Sequence, residues 1–171
     1  MASAPDETPD GTLADPVAEA HTGDMDTEQV IDAVERPATG APVTAPVTVL
    51  IVDDQARFLT VAATVVERTA GFPLVGRAVD GGDAVEQAWQ LRPPLVLMDI
   101  NMPVLDGIAA ARRIVDGAPG TIVVLLSSYD RDDLPDGFAA SGAVDYLHKE
   151  ELDPAALRRL WDEHGQLDRS S

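Results

Sequence analysis

LVLMDINMPVLDG, residues 95–107, runs from an apolar segment through a single carboxylate into two turn-forming pairs. Four apolar residues run straight into Asp99, and Met102-Pro103 and Asp106-Gly107 follow within eight residues. A short unbroken apolar run bounded by turn residues is the pattern of a strand buried on both faces, as in a parallel sheet. Asp99 then stands where that strand reaches the surface. Residues 47–52 (VTVLIV) and 121–126 (TIVVLL) have the same texture, and 143–147 is a shorter strand. Residues 72–78, interrupted by Pro73, read as a more polar strand nearer an edge.

Helical spacing fills the gaps between these runs. Residues 56–69 place Phe58, Leu59, Ala62, Val65 and Val66 on one side, and 82–92 do the same with Ala84, Val85, Ala88 and Trp89. Pro93-Pro94 stops that second helix. A third helix covers 107–115. The fourth, 133–141, is weak because Pro135 and Gly137 both fall in its first half. The last covers 154–163, with Leu157, Leu160 and Trp161 as its apolar stripe and Pro154 suited to the first turn. Strands alternating with helices of this length predict one doubly wound α/β domain of (βα)5 form, its parallel sheet covered on both faces.

The composition narrows the function. The 171 residues contain no cysteine, which excludes disulfides, thiolate catalysis and Cys-based zinc sites. His21, His148 and His164 have no metal-ligand spacing. A net charge of −18 argues against nucleic acid and anionic membrane surfaces as partners. No apolar run spans a bilayer, and the N-terminus lacks the basic and apolar regions of a signal peptide, so a soluble cytoplasmic protein is expected. Residues 1–46 carry ten acids against Arg36, six of the thirteen prolines, and no Phe, Tyr or Trp. Such a segment cannot offset the entropy of ordering and is predicted to be disordered, with room for a short helix at 26–35. The domain is expected over 47–163, followed by a tail at 164–171.

Ligands of open parallel sheets bind beyond the carboxyl ends of the strands. Strand one ends in Asp53-Asp54, strand three in Asp99, strand four in Ser127-Ser128, and strand five runs into Lys149, the only lysine in the chain. Each has another explanation alone: Asp53 or Asp54 as a helix cap, Asp99 as a turn residue, Ser127 as a cap, Lys149 as a solvated charge. Together at one sheet edge they suit a single chemistry. Three neighbouring carboxylates repel one another and favour a hard divalent cation such as Mg²⁺. An ammonium and a hydroxyl can hold phosphoryl oxygens, and an ionised aspartate is already a nucleophile. These are the parts needed to form an aspartyl phosphate.

LIVDDQ (50–55), LVLMDINMPVLDG (95–107), IVVLLSS (122–128) and GAVDYLHK (142–149) resemble the receiver domain of two-component response regulators, in order, from residue 47 to about 163. The resemblance implies a flavodoxin-like sheet of strand order 2-1-3-4-5. It also implies that Asp99 accepts a phosphoryl group from a sensor histidine kinase or phosphotransfer protein. Asp53, Asp54, Asp99 and the backbone carbonyl of Asn101 would bind Mg²⁺. Ser127 would be the switch hydroxyl, Lys149 the phosphoryl partner, Tyr146 the aromatic that turns inward on activation, and small Ser128 would leave room for the group. Asn101 and Tyr129 fall where the family tunes autodephosphorylation. A homodimer formed on phosphorylation and an unidentified downstream protein complete the implied partners.

Three departures stand out. Glu150 follows Lys149 where many receivers have a cis-proline, the fourth helix is broken by Pro135 and Gly137, and about eight residues follow the last helix. The expectation is therefore a single-domain regulator that is not itself an enzyme. The alternatives are a degenerate receiver that binds proteins without phosphorylation, and an aspartyl-phosphate phosphohydrolase. The latter usually has a second acid two residues beyond the nucleophile, where this chain has Asn101.

Overall fold

Runs of Val, Leu and Ile without polar alternation must be covered on both faces, and the strands they form lie side by side in one parallel sheet. The computed structural model describes residues 45–165. The strands are β1 (Val49–Val52), β2 (Leu74–Ala78), β3 (Leu95–Asp99), β4 (Ile122–Ser127) and β5 (Asp145–His148), in the order β2-β1-β3-β4-β5. The helices are α1 (Ala56–Arg68), α2 (Gly81–Leu91), α3 (Gly107–Gly117) and α4 (Pro154–His164). This is the flavodoxin-like order expected from the motifs.

Alternate strand residues point to opposite faces and build two cores. Val49, Ile51, Leu95, Leu97, Val124 and Leu126 pack with Leu59, Ala62 and Val66 of α1 and Leu157 and Leu160 of α4. Leu50, Val52, Val96, Met98, Val123 and Leu125 pack with Ala84 and Ala88 of α2 and Ala110, Ala111 and Ile114 of α3. Asp residues start three of the helices. Side chains of Asp80, Asp106 and Asp153 accept the backbone N–H groups of Asp83, Ala109 and Ala156 at 2.8, 2.9 and 2.7 Å.

The helix expected over residues 133–141 does not form. Two short 3-10 turns, Arg131–Asp133 and Phe138–Ala140, stand in its place. Pro135 removes a donor and forces the residue before it out of the helical region, and Leu134 is extended at φ −66°, ψ 140°. Gly137 then takes the left-handed conformation at φ +101°. β5 also begins at Asp145 rather than 143, and β2 at Leu74 rather than 72. Trp89 does not join the buried stripe of α2. It is 47% exposed, and its indole N–H donates to the Arg113 carbonyl of α3 at 3.3 Å. The readings for residues 1–44 and 166–171 lie outside the described residues. No helix among the described residues is long and apolar enough to cross a membrane.

Candidate functional site

The register of the sheet sets the site. Val52 pairs with Met98, so Asp53 and Asp99, each the next residue, emerge level on adjacent strands. Ser127 follows Leu126, the partner of Asp99, and Lys149 follows His148, the partner of Ser127. Ile100 N–H continues the ladder by donating to the Leu126 carbonyl at 3.0 Å, which holds the backbone beyond Asp99. Gly107 N–H donates to the Ile100 carbonyl at 2.8 Å, and a Cβ on Gly107 would collide with the Asp99 carbonyl oxygen. The Asp-Gly of the 95–107 stretch thus has two functions: Asp106 caps α3, and Gly107 lets that helix abut the acidic strand end.

Asp53, Asp54 and Asp99 each offer an oxygen within 4.8 Å of the others. Asp53 and Asp99 are buried and Asp54 is exposed. Lys149 Nζ lies 2.6 Å from Asp53 Oδ2 and 3.4 Å from Asp99 Oδ1, with its side chain only 9% exposed. The other Asp53 oxygen, Oδ1, accepts Gln55 N–H at 2.8 Å. The residue flanking α1 is Gln55, which makes no side-chain cap. The helix beside the site therefore lacks the Asp cap of the other three, because both aspartates before it sit in the acidic cluster. Burial, then the neighbouring Asp53 charge, push the Asp99 carboxyl up to about 6, against the pull of Lys149 and of the Asn101 backbone N–H.

The donor set fits a hard divalent cation. Of the three carboxylates only Asp53 and Asp99 pair with the one ammonium, and Asp53 Oδ2 is buried with no hydrogen bond of directed geometry, Lys149 offering it charge alone. Oxygen-only ligands of this kind suit Mg²⁺. The exposed Asn101 follows at the start of the loop.

The remaining expected residues form a second group. Ser127 is buried, and its Oγ accepts Tyr129 N–H at 3.0 Å instead of meeting Asp99. Tyr146 is buried with its hydroxyl donating to the Tyr129 carbonyl. Burial, more than the nearby Asp130 and Glu151, raises the Tyr146 hydroxyl pKa. Tyr129 itself is 54% exposed, and Ser128 is exposed beside it. The serine at the end of β4 and the tyrosine of β5 are thus joined through one residue's backbone.

Several contacts escape sequence reasoning. Phe58 places its ring centroid 4.6 Å from Lys149 Nζ. Its only signal is its position in the first turn of α1, five residues after Asp53. Asp145 accepts Arg131 Nη2 at 3.2 Å, Tyr146 N–H at 2.8 Å and faces His164 Nε2 at 3.1 Å. Although burial opposes ionisation, these donors hold its carboxyl below the usual range. His148 Nδ1 accepts Glu150 N–H at 3.3 Å, so Nε2 carries the proton toward the Ser128 carbonyl at 3.1 Å. An N–H that a proline would lack is thereby used to fix the turn at Lys149.

The chain resembles proteins of known role. It is 38% identical over 117 residues to a protein-glutamate methylesterase/protein-glutamine glutaminase of Geobacter sulfurreducens, covering 67% of this chain and 32% of the relative. A protein of the same name from Pseudoalteromonas translucida is 40% identical over 111 residues, 64% of this chain and 28% of that one. The chain thus matches about a third of these relatives' length. Among solved structures, the response regulator domain of Thermotoga maritima CheB superposes with a TM-score of 0.64 at 29% identity, covering 72% of this chain and 98% of that domain. The receiver domain of a Pseudomonas aeruginosa sensor histidine kinase, with magnesium in its active-site cleft, gives 0.61 at 26% identity over 70% of this chain and 97% of that one. The family model described as the response regulator receiver domain matches residues 49–161, more than half the chain. By its strand order, its acidic strand ends and this match, the chain belongs to the response regulator receiver domain family of two-component signalling.

Proposed function

We propose that Asp99 is the phosphoacceptor of a Mg²⁺-dependent transfer from a phosphohistidine on a sensor histidine kinase or phosphotransfer protein. The observation that carries this is the convergence of three carboxylate oxygens within 4.8 Å, with one buried ammonium at 2.6 and 3.4 Å. An Asp99 carboxylate oxygen attacks phosphorus, the P–N bond breaks, the imidazole leaves with the electron pair and takes up a proton, and an acyl phosphate remains. Asp53, Asp54, Asp99 and the Asn101 carbonyl would hold Mg²⁺, which when bound neutralises charge on the phosphoryl oxygens.

The chain's own residues do the rest in this reading. Lys149 transfers its ammonium from the aspartates to the new phosphoryl oxygens. Ser127 gives up its contact with Tyr129 N–H to donate to the same group, with small Ser128 leaving space. The Tyr129 carbonyl is the acceptor for Tyr146, which is already buried in this structure rather than waiting to turn inward, so moving Ser127 shifts the residue whose backbone fixes the inward Tyr146. In this reading Asn101 and Tyr129, both exposed, tune water attack on the acyl phosphate. The domain then acts as a single-domain regulator. Its output is a protein-contact surface around Tyr129 and Tyr146, and its own chemistry is limited to gaining and losing that phosphoryl group.

Incubation with acetyl phosphate and Mg²⁺, followed by intact-mass measurement, tests the reading. A phosphate adduct that disappears on chelation and in Asp99→Asn is expected. An adduct unaffected by that substitution, or none at all, would sink it.

A further inference from the structure

The buried ammonium of Lys149 is held on three sides, and one side is not a carboxylate. Lys149 follows the last residue of the edge strand β5, and its ammonium reaches Asp99 at the end of β3 and Asp53 just beyond β1. Asp53 lies 2.6 Å away, Asp99 is farther at 3.4 Å, and the Phe58 ring centroid is 4.6 Å from Nζ. Asp53 and Phe58 come from the same short segment, the end of β1 and the first turn of α1. Both hold the ammonium to this one segment, while Asp99 draws it to the end of β3. A cation this close to an aromatic face is attracted by the ring quadrupole, more strongly when water is excluded. With its side chain 9% exposed, Lys149 is largely shielded from water.

We propose that Phe58 is a positioning residue that tethers the Lys149 ammonium at Asp53, so that phosphorylation of Asp99 must draw the lysine off an aromatic face as well as off a carboxylate. This rests on the reading of Asp99 as phosphoacceptor and adds a brake to it. The tether stabilises the resting arrangement and opposes the move of Lys149 to a phosphoryl group. Removing the ring quadrupole while keeping an apolar cover releases the lysine, so Phe58→Leu accepts the phosphoryl group more readily. Phe58→Tyr keeps the ring face and behaves as wild type. A side chain that only packed over the site would give the opposite sign, because replacing it would loosen the site and weaken binding.

Two measurements on the full chain test this. Lys149 is the only lysine, so its ε-methylene NMR signal is unambiguous. In the metal-free protein that signal is expected upfield of an ordinary lysine through the Phe58 ring current, at its ordinary position in Phe58→Leu, and upfield again in Phe58→Tyr. Calorimetric titration with beryllofluoride at saturating Mg²⁺ then reads the phosphoryl-bound arrangement. Phe58→Leu should bind about fivefold tighter than wild type, and Phe58→Tyr within twofold of it. An ordinary lysine signal in wild type, or beryllofluoride binding by Phe58→Leu no tighter than wild type, overturns the tether. Wild type that fails to bind beryllofluoride while showing the Phe58-dependent shift overturns the phosphoacceptor reading and leaves the tether standing.

Discussion

On the β1–β3 side of the sheet's carboxyl edge, the acidic residues rise from strands buried on both faces, and α3 abuts Asp99 through a capped, glycine-tight turn. On the β4–β5 side, two 3-10 turns replace a helix, and the segment is pinned by scattered polar contacts: Ser141 Oγ to Phe138 O, His148 to Ser128 O, and Arg131 to Asp145. The first side must hold charges close together against their repulsion, which needs rigid supports. The second carries Tyr129 and Tyr146, whose arrangement has to change if a phosphoryl group at Asp99 is to be felt elsewhere. Regions that move are drawn from the less stable parts of a fold. The difference in construction matches the proposed division between chemistry and output.

Truncating one core residue on each side should produce the largest effect. Leu97 is fully buried in β3, whereas Phe138 is partly buried in the second 3-10 turn. Leu97→Ala is expected to cost about 3–4 kcal/mol and Phe138→Ala about 1–2 kcal/mol in urea unfolding. Equal losses would break the contrast between a rigid and a loosely held side.

The rigid side also stores electrostatic strain. Asp99 titrates at 3.8 ordinarily and at about 6 in the folded protein. Between those values the folded state keeps a proton that the unfolded chain has released. This contribution to stability is fully present below pH 3.8 and is lost as pH rises through 6. At pH 8 without Mg²⁺ the penalty approaches about 3 kcal/mol, at about 1.4 kcal/mol for each tenfold change in proton affinity. Asp99→Asn should therefore be more stable than wild type at pH 8, by somewhat less than that because Asn is a poorer partner for Lys149. The advantage should vanish near pH 4. Unfolding curves at the two pH values that ran parallel would show that Lys149 already neutralises the cluster.

The strand ends were legible because a parallel sheet brings every carboxyl end to one edge, so Asp53, Asp99 and Lys149 could be gathered without knowing any distance. The failed helix was half legible. Pro135 and Gly137 weaken a helix on paper, but only the extended Leu134 and left-handed Gly137 turn weakness into absence. The Phe58–Lys149 contact and the Arg131–Asp145–His164 group were not legible. Each depends on how far a long side chain reaches between elements, and no periodicity encodes that. Trp89 misled for a related reason: its spacing fits the buried stripe, but its indole is large enough to span to α3.

The smallest expected effects come from two backbone positions, one in the loop on each side, and they should have opposite signs. Val104, between the acidic strand and α3, has φ +73°, and Leu105 N–H donates to the Pro103 carbonyl at 2.8 Å. That is a γ-turn centred on a β-branched residue, a strained arrangement. Val104 is 93% exposed, so Val104→Gly sacrifices almost no burial. It relieves about 1–2 kcal/mol of left-handed strain but gives up about 0.5–1 kcal/mol through the freer unfolded chain. A net gain of about 0.5 kcal/mol is expected. Gly137, between β4 and β5, has φ +101°, and a Cβ there would meet only Ile108 Cγ2, at an ordinary 3.7 Å. With space available, Gly137→Ala should lose about 1 kcal/mol to backbone strain alone. Differential scanning calorimetry of the two variants reads both signs. Stabilisation by Val104→Gly with unchanged acetyl phosphate reactivity would place the strain in the loop's covalent path, whereas slowed phosphorylation would mean that it helps hold Asp99 and Asn101 in register.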